Sequence, residues 1–148
     1  MFSWADFEQA APELAALGRE RIERHGFMLL GTVRRDGTAR ISPVGVRLVG
    51  DQLALCMVRG STKLRDVLRD PRILLHSPVL NADDPNDELK LRGAALQVED
   101  PELRQAAALW EPPPELEVFV VDVESAAFVA WSKGELTTTR WSRDRGLY

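Results

Sequence analysis

The chain has few of the residues that carry nucleophilic or metal chemistry. Its 148 residues include one cysteine and two histidines. A single cysteine excludes an internal disulfide and fits a reducing compartment, so we expect a cytoplasmic location. The sequence contains no Ser/His/Asp set and no His/Cys cluster spaced for a metal. It therefore predicts no metal site and identifies no catalytic acid, base or nucleophile.

Long apolar runs and an excess of positive charge are also missing. No segment has the length of a membrane-spanning helix, and we expect no secretory signal. The net charge of −4 and the pI of about 5.2 argue against general nucleic-acid binding. With 45% hydrophobic and 28% charged residues, the composition is that of a globular protein. The length predicts a single domain over residues 1–148.

Turn signals divide the chain into short strands. Strands are predicted at 27–33, 38–49, 53–58, 72–76, 88–98, 118–121, 127–131 and 135–141. Helices are predicted to begin at Ser3 and Pro12 and to cover 61–70 and 100–110. Few strand pairs are separated by a helix, so the pattern favours a mainly β (α+β) antiparallel barrel or sandwich of about six strands with three short helices.

Two strand features have wider consequences. The strand 53–58 is apolar on both faces, which predicts that both are covered and favours a two-fold dimer with an apolar interface. Gly93 lies inside a predicted strand, which indicates a β-bulge or a close backbone approach. The last residues, 142–148, are expected to be loosely held.

The basic stretch 59–71 is the part of the chain that most suggests ligand binding. Glycine and two hydroxyl residues precede a short helical pattern, and three cations surround the junction: Arg59, Lys63 and Arg65. A helix N-terminus has free N–H groups and a positive dipole end, and hydroxyls and cations placed there suit a phosphate. The alternative is an ordinary Ser/Thr N-cap with a solvated basic face.

A second candidate for phosphate binding is Arg40, on the preceding strand. Arg40 and Ser42 lie on the same side of that strand because side chains alternate with a period of two. A charged side chain among small and apolar residues needs a partner, and Lys63 is a possible co-ligand of the same phosphate. The alternative is an edge arginine that reaches solvent.

Four segments together resemble the pyridoxamine 5′-phosphate oxidase-like family of flavin-binding split β-barrels. They are residues 30–37, 39–44, 61–72 and 91–95, and the resemblance extends over roughly residues 14–142. It implies a split β-barrel and a homodimer with cofactor sites in the groove between the subunits. It also implies FMN, or in a related branch the deazaflavin F420, held by its phosphate.

The resemblance also implies which residues bind the cofactor. Family members bind the phosphate with an arginine on the second strand and a Ser/Arg/Lys-like triplet at the next helix start, where this chain has threonine in place of the arginine. Backbone groups of 41–43 would face the isoalloxazine ring, and Trp131 or Trp141 could stack on it unless they serve the core. The candidate cofactor-binding residues are Arg40, Ile41, Ser42, Pro43, Arg59, Ser61, Thr62, Lys63 and Trp141.

The leading functional hypothesis is an FMN-dependent oxidoreductase acting on a small molecule that the sequence does not identify. A second hypothesis is a non-catalytic carrier or sensor for FMN, F420 or haem, and a third is a structural dimer without a cofactor. Two departures from the oxidase pattern argue against oxidation of vitamin B6 phosphates. Glu88 occupies the position of a glutamine and would repel a phosphorylated ligand if buried, and the segment 139–142 lacks a histidine.

Overall fold

The strands of the protein form one antiparallel sheet in a computed structural model that describes residues 1–80, 87–108 and 115–148. The strands are β1 Phe27–Val33, β2 Ala39–Val49, β3 Gln52–Val58, β4 Arg72–His76, β5 Glu88–Gln97, β6 Leu116–Ser132, β7 Glu135–Ser142 and β8 Gly146–Leu147. The helices are α1 Trp4–Ala10, α2 Pro12–His25, α3 Thr62–Arg69 and α4 Pro101–Ala107.

The sheet closes into a barrel. Its strand order is β3-β2-β1-β4-β5-β6-β7-β8, and an additional β3–β6 pairing joins the first strand to the sixth. Strands β1 to β6 therefore form a closed six-stranded barrel, from which β7 and β8 extend the sheet. The predicted mainly β (α+β) barrel is confirmed. The described residues contain four helices, one at each of the four helix signals in the sequence, although the predicted count was three short helices.

Local sequence signals explain most element boundaries. The Ser3 side chain caps α1, and Asp6 completes a reciprocal capping box with it. Gly26 ends α2 in the left-handed conformation, with φ of 68°. In the β1–β2 turn, the Asp36 carboxylate accepts hydrogen bonds from the Thr38 N–H and hydroxyl at 3.0 and 2.6 Å. These boundaries agree with the predicted ones to within a residue.

Strand β6 is a single long strand where the sequence showed two strand signals. It pairs with β3 near its start and with β7 over its second half, while β5 runs alongside most of its length. The β5–β6 register shifts between Arg92 and Gly93, which confirms the predicted bulge. A Cβ atom on Gly93 would overlap the carbonyl oxygen of Asp122, so the two backbones can approach only because the residue is glycine.

Both faces of β3 are covered within the chain, which removes the sequence argument that β3 needs a partner subunit. Leu53, Leu55 and Met57 belong to the main core. Ala54 and Cys56 belong to a second cluster with apolar residues of α4 and β6. The Cys56 thiol lies 3.0 Å from the carbonyl oxygen of Ala107, and burial raises the pKa of that thiol. Cys56 is therefore a packing residue.

The C-terminal segment is held in the sheet, so the prediction of loose ends is wrong. Gly146 and Leu147 pair with β7, and the backbone of Tyr148 exchanges hydrogen bonds with Arg140 at 2.9 and 3.2 Å. Backbone pairing, which the polar composition of 142–148 did not reveal, orders this segment. The last residues of the predicted helix 100–110 and most of the predicted loop 80–87 lie outside the described residues.

Candidate functional site

The first half of β2 has an unpaired edge. Residues 39–45 of β2 pair with β1, whereas β3 pairs only with residues 45–49. The Pro43 carbonyl points into the resulting gap, where it accepts a hydrogen bond from Lys63 Nζ at 2.9 Å. Because main-chain groups alternate along an antiparallel strand, the N–H and C=O of Ile41 point to the same side. The split in the barrel therefore exposes main-chain donors and acceptors.

Helix α3 lies beside this gap. Ser61 precedes its first turn, and the Ser61 hydroxyl accepts from the Leu64 N–H at 3.4 Å. Leu64 and Val67 are buried, whereas Leu68 is 57% exposed. The face formed by Thr62, Arg65, Asp66 and Arg69 turns instead toward the β1–β2 turn, as the i, i+3, i+4, i+7 spacing requires.

Asp66 is the buried acceptor at the centre of the site. Its side chain is 5% exposed, and Oδ2 accepts from Arg40 Nε at 2.7 Å and from the Thr32 hydroxyl at 2.9 Å. Its Oδ1 accepts from Arg69 Nη2 at 3.1 Å. Burial alone would raise the pKa of Asp66, but the hydrogen bonds from Arg40, Thr32 and Arg69 outweigh it and hold that pKa below its ordinary value.

Within the described residues, Arg40 is held through its Nε atom alone. Its Nε donates to Asp66, and among the described residues no hydrogen bond takes up its two Nη atoms. The side chain is 25% exposed and borders a cavity of about 650 Å³. The cavity is lined by residues of the β1–β2 turn, β2 and α3, namely Arg34, Arg35, Asp36, Arg40, Thr62, Arg65, Asp66 and Arg69. We call it the basic cavity.

Lys63 lines a different cavity from Arg40. This apolar cavity, of about 400 Å³, is bordered by Gly26, Phe27, Pro43, Val44, Gly45, Cys56, Val58 and Lys63. Burial lowers the pKa of the Lys63 ammonium, which remains hydrogen-bonded to the Pro43 carbonyl. The structure thus separates the two expected phosphate ligands: Arg40, on β2, lines the basic cavity, whereas Lys63, on α3, lines the apolar cavity.

Two other predicted site residues lie elsewhere. Arg59 forms ion pairs with Glu117 at 2.9 Å and Glu115 at 3.5 Å, and it borders neither cavity. Trp141 is 2% exposed and packs in the core against Phe2 and Phe7, with ring centroids 5.5 and 4.9 Å apart. The structure therefore places the Trp141 ring among core side chains, which is the alternative to stacking on a cofactor that the sequence had left open.

The side chains of Ile41 and Ser42 point to opposite faces of β2. Ile41 is 72% exposed on the outer face of the barrel, whereas Ser42 is half-buried on the same side as Arg40. For Ile41 and Pro43 it is therefore the main chain that faces the gap between β2 and α3. No group of three or more metal-ligating side chains occurs in the described ranges, and none of the described helices is long and apolar enough to cross a membrane.

Glu88 does not meet the condition of burial under which the sequence predicted repulsion of a phosphate. Its side chain is 32% exposed and accepts from Lys90 Nζ at 2.9 Å, and His76 Nε2 lies 3.6 Å away across the β4–β5 pair. The hydrogen bond from Lys90 lowers the pKa of Glu88. Repulsion of a phosphate by a buried Glu88 is therefore not a property of this site.

Sequence reasoning missed six residues: five that line the basic cavity, including Asp36, and Thr32, which donates to Asp66. Arg34 and Arg35 precede the Asp36-Gly37 turn, while Thr32, Asp66 and Arg69 were seen only as strand and helix positions. The sequence did contain one signal for this site: Asp66, an acidic residue on the face of α3 opposite its apolar face. A carboxylate within a basic helix predicts a buried acceptor for the arginines around it.

The barrel with one opened strand edge beside a basic helix start defines a split β-barrel protein. The sequence profile described as pyridoxamine 5′-phosphate oxidase matches residues 15–130. This match covers most of the chain, and the chain belongs to that family. Among curated proteins, none matches this sequence.

Solved structures with different ligands share the fold. PhzG from Burkholderia lata 383, solved with tetrahydrophenazine-1-carboxylic acid, aligns with a TM-score of 0.66 at 16% identity, over 96% of this chain and 89% of its own. A heme-binding protein from Mycobacterium smegmatis gives a TM-score of 0.65 at 23% identity over 82% of this chain, which spans 55% of that protein. An F420 reductase aligns with a TM-score of 0.56 at 25% identity, over 73% of this chain and 94% of its own. The fold alone therefore does not select a cofactor.

Proposed function

We propose that the protein is a flavin-dependent oxidoreductase that binds FMN between the open edge of β2 and α3. The observation that carries this proposal is Arg40, which is anchored through Nε on buried Asp66 and borders a cavity at the start of α3. A guanidinium fixed in this way suits a phosphate, and the Thr62 hydroxyl and the free N–H groups of the first turn add donors. These residues fit the phosphate of FMN.

The apolar cavity offers a place for the flavin ring. It has an apolar lining and a single cation, Lys63, next to main-chain groups at the open edge of β2. Arg40 and Pro43 are three residues apart, or about 10 Å along an extended strand, a separation that suits a ring and a phosphate joined by a short chain. We infer that Arg40 and Thr62 hold the phosphate and that Lys63 lies beside the ring.

The chemistry of such a protein resides in the flavin, which accepts and donates hydride or electrons when bound. The role of the chain is to bind the phosphate, orient the ring along β2 and exclude water with apolar side chains. We expect a substrate other than pyridoxamine or pyridoxine 5′-phosphate, because the segment 139–142 lacks the histidine of the oxidases.

The deazaflavin F420 is the second candidate cofactor, supported by the likeness to an F420 reductase at 25% identity. A haem carrier is less well supported. Haem iron needs an axial ligand such as histidine, and in the described parts of the chain neither His25 nor His76 borders the basic or the apolar cavity.

We also propose that two copies form a dimer through the outer face of β2, β1 and β4. Gly31 stands in register with Ile41 on one side and Leu74 on the other. Ile41 is 72% and Leu74 41% exposed, and they border a cavity of about 440 Å³ that runs between them over Gly31. The groove is mostly apolar, although Arg40, Arg72, Arg92 and Glu124 also line it, and a largely apolar exposed surface suits self-association by two-fold symmetry. The face adjoins the site, because Arg40 borders this cavity as well.

Riboflavin, which lacks the phosphate, separates the two assigned roles. We expect Arg40→Ala to weaken FMN tenfold to a hundredfold, the equivalent of roughly 1.5–3 kcal/mol for a charged hydrogen bond, and to leave riboflavin binding unchanged. We expect Lys63→Ala to weaken both ligands. Arg145→Ala and Lys133→Asn remove the same charges from exposed turns and serve as controls.

The absorption spectrum and mass of the molecule that copurifies with the protein identify the cofactor. FMN or F420 supports a flavin-type protein, and turnover with a reductant then distinguishes an enzyme from a carrier. Binding of FMN and F420 that is unaffected by both Arg40→Ala and Lys63→Ala would reject the assigned site.

A further inference from the structure

The basic cavity is longer than one phosphate needs. Along α3 it extends from Thr62 in the first turn to Arg69 in the last, a span of about 10 Å at 1.5 Å per residue. Arg69 Nη2 donates to the Val33 carbonyl at 2.7 Å, and Val33 immediately precedes Arg34. The β1–β2 turn therefore meets the cavity beside Arg69, away from the helix N-terminus. A single phosphate bound at Thr62 would leave the Arg69 end of the basic cavity without a ligand.

The cavity also has more positive charge than one phosphate compensates. Five arginines and two aspartates line it, which leaves three positive charges in a chain whose net charge is −4. A phosphate monoester carries at most two negative charges at neutral pH. In the described ranges, the arginines paired to a cavity carboxylate are Arg40 and Arg69, both to Asp66. Arg34, Arg35 and Arg65 have no carboxylate partner within ion-pair distance among the same residues.

We propose that the basic cavity binds a second anionic group, a phosphate or a carboxylate, through Arg34, Arg35 and Arg65. Guanidinium groups bind either group with paired N–H donors. The proposal rests on the proposed function for the first anion, the flavin phosphate near Arg40 and Thr62. The second group belongs either to an extended flavin cofactor or to a separate substrate or effector, and both present the same chemistry to these arginines.

The first test titrates inorganic phosphate into FMN-saturated protein and follows the arginine Nε–Hε NMR signals. We expect saturable shifts of Arg34, Arg35 and Arg65 while FMN stays bound. The double variant Arg34→Ala/Arg35→Ala should bind this phosphate at least about tenfold more weakly. The double variant Arg24→Ala/Arg145→Ala removes the same charge from exposed arginines outside the cavity and should bind as the parent does.

The second test does not need FMN. Tripolyphosphate extends farther along the cavity than orthophosphate and should bind the cofactor-free protein at least about tenfold more tightly. This preference should disappear in Arg34→Ala/Arg35→Ala and persist in the control double variant. The proposal is overturned if the protein binds tripolyphosphate no more tightly than orthophosphate. It is also overturned if the control double variant loses as much affinity as Arg34→Ala/Arg35→Ala. FMN binding with either of those results leaves the proposed function intact.

Flavin adenine dinucleotide distinguishes the two sources of the second anion. If the group belongs to the cofactor, this dinucleotide binds more tightly than FMN, and the difference depends on Arg34 and Arg35. If the second anionic group belongs to a separate molecule, FMN and the dinucleotide bind with equal affinity, and inorganic phosphate binds to the FMN-loaded protein. Both results support a second anion subsite. If Arg34→Ala/Arg35→Ala binds phosphate, tripolyphosphate and the dinucleotide as tightly as the parent does, the second anion subsite is refuted.

Discussion

Arg40 Nε and Asp66 Oδ2 are joined by a 2.7 Å hydrogen bond that links β2 to α3 across the open side of the barrel. Asp66 also binds Arg69 and Thr32, so one buried carboxylate orients two arginines of the basic cavity. A carboxylate next to an anion site repels the ligand by charge alone. Asp66 therefore favours anion binding only through the orientation that it imposes on Arg40 and Arg69.

This relationship predicts an effect opposite to that of simple charge. Asp66→Asn removes a negative charge beside the basic cavity, yet we expect it to weaken FMN by about tenfold because Arg40 loses its anchor. Asp36→Asn removes a negative charge from the same cavity without touching Arg40, and should leave FMN affinity unchanged or raise it. Fluorescence titration of both variants tests this, with circular dichroism to verify folding. Tighter binding by Asp66→Asn would show that Asp66 acts by charge alone.

The pKa of Asp66 makes part of the stability depend on pH. A carboxyl with an unfolded pKa of about 3.9 and a lower folded pKa stabilises the fold above the unfolded value. This contribution is lost as the pH falls through the folded pKa. We expect the free energy of unfolding to drop below about pH 5, and to drop less steeply in Asp66→Asn than in the parent. Urea unfolding between about pH 7 and pH 3 measures both slopes, and equal slopes would contradict the assignment.

The proposed dimer face predicts the effect of a charge on β4. Leu74→Arg adds a positive charge to the groove over Gly31, which Arg72 and Arg92 also line, and we expect it to convert a dimer into a folded monomer at micromolar concentration. Leu17→Arg is a matched control, since Leu17 is also 41% exposed but lies on α2. Light scattering measures the mass of each protein. A monomeric parent, or a dimer that survives Leu74→Arg, would rule out this face.

Gly93 should tolerate no side chain. Gly93→Ala brings a methyl group into the Asp122 carbonyl at the β5–β6 bulge, and we expect a loss of at least about 2 kcal/mol in unfolding free energy. At Gly31, another strand glycine, a Cβ would lie 3.4 Å from the nearest atom, the Leu74 carbonyl oxygen. We therefore expect Gly31→Ala to cost much less. Similar unfolding midpoints for the two variants would mean that the bulge relaxes.

Local signals in the sequence were enough to predict the barrel elements. Turn signals and the apolar runs between them placed β1 to β5, Asp36-Gly37 placed the first hairpin, and Gly93 marked the bulge. Ser61, Thr62 and Pro71 correctly bounded α3. Turns, bulges and helix ends depend on local backbone conformation, and strands and helices depend on the spacing of apolar residues. Residues close together in the sequence determine both.

The site depended on contacts between distant segments. Arg40 and Asp66 are 26 positions apart, and only barrel closure brings β2 to α3 and turns an exposed-looking acid into a buried acceptor. The same closure encloses Trp141 in the core and directs Arg59 to Glu117. Residue type and spacing were sufficient to predict the elements and the family. Which charges share a cavity was decided by the tertiary structure, because burial and pairing depend on packing that no local pattern encodes.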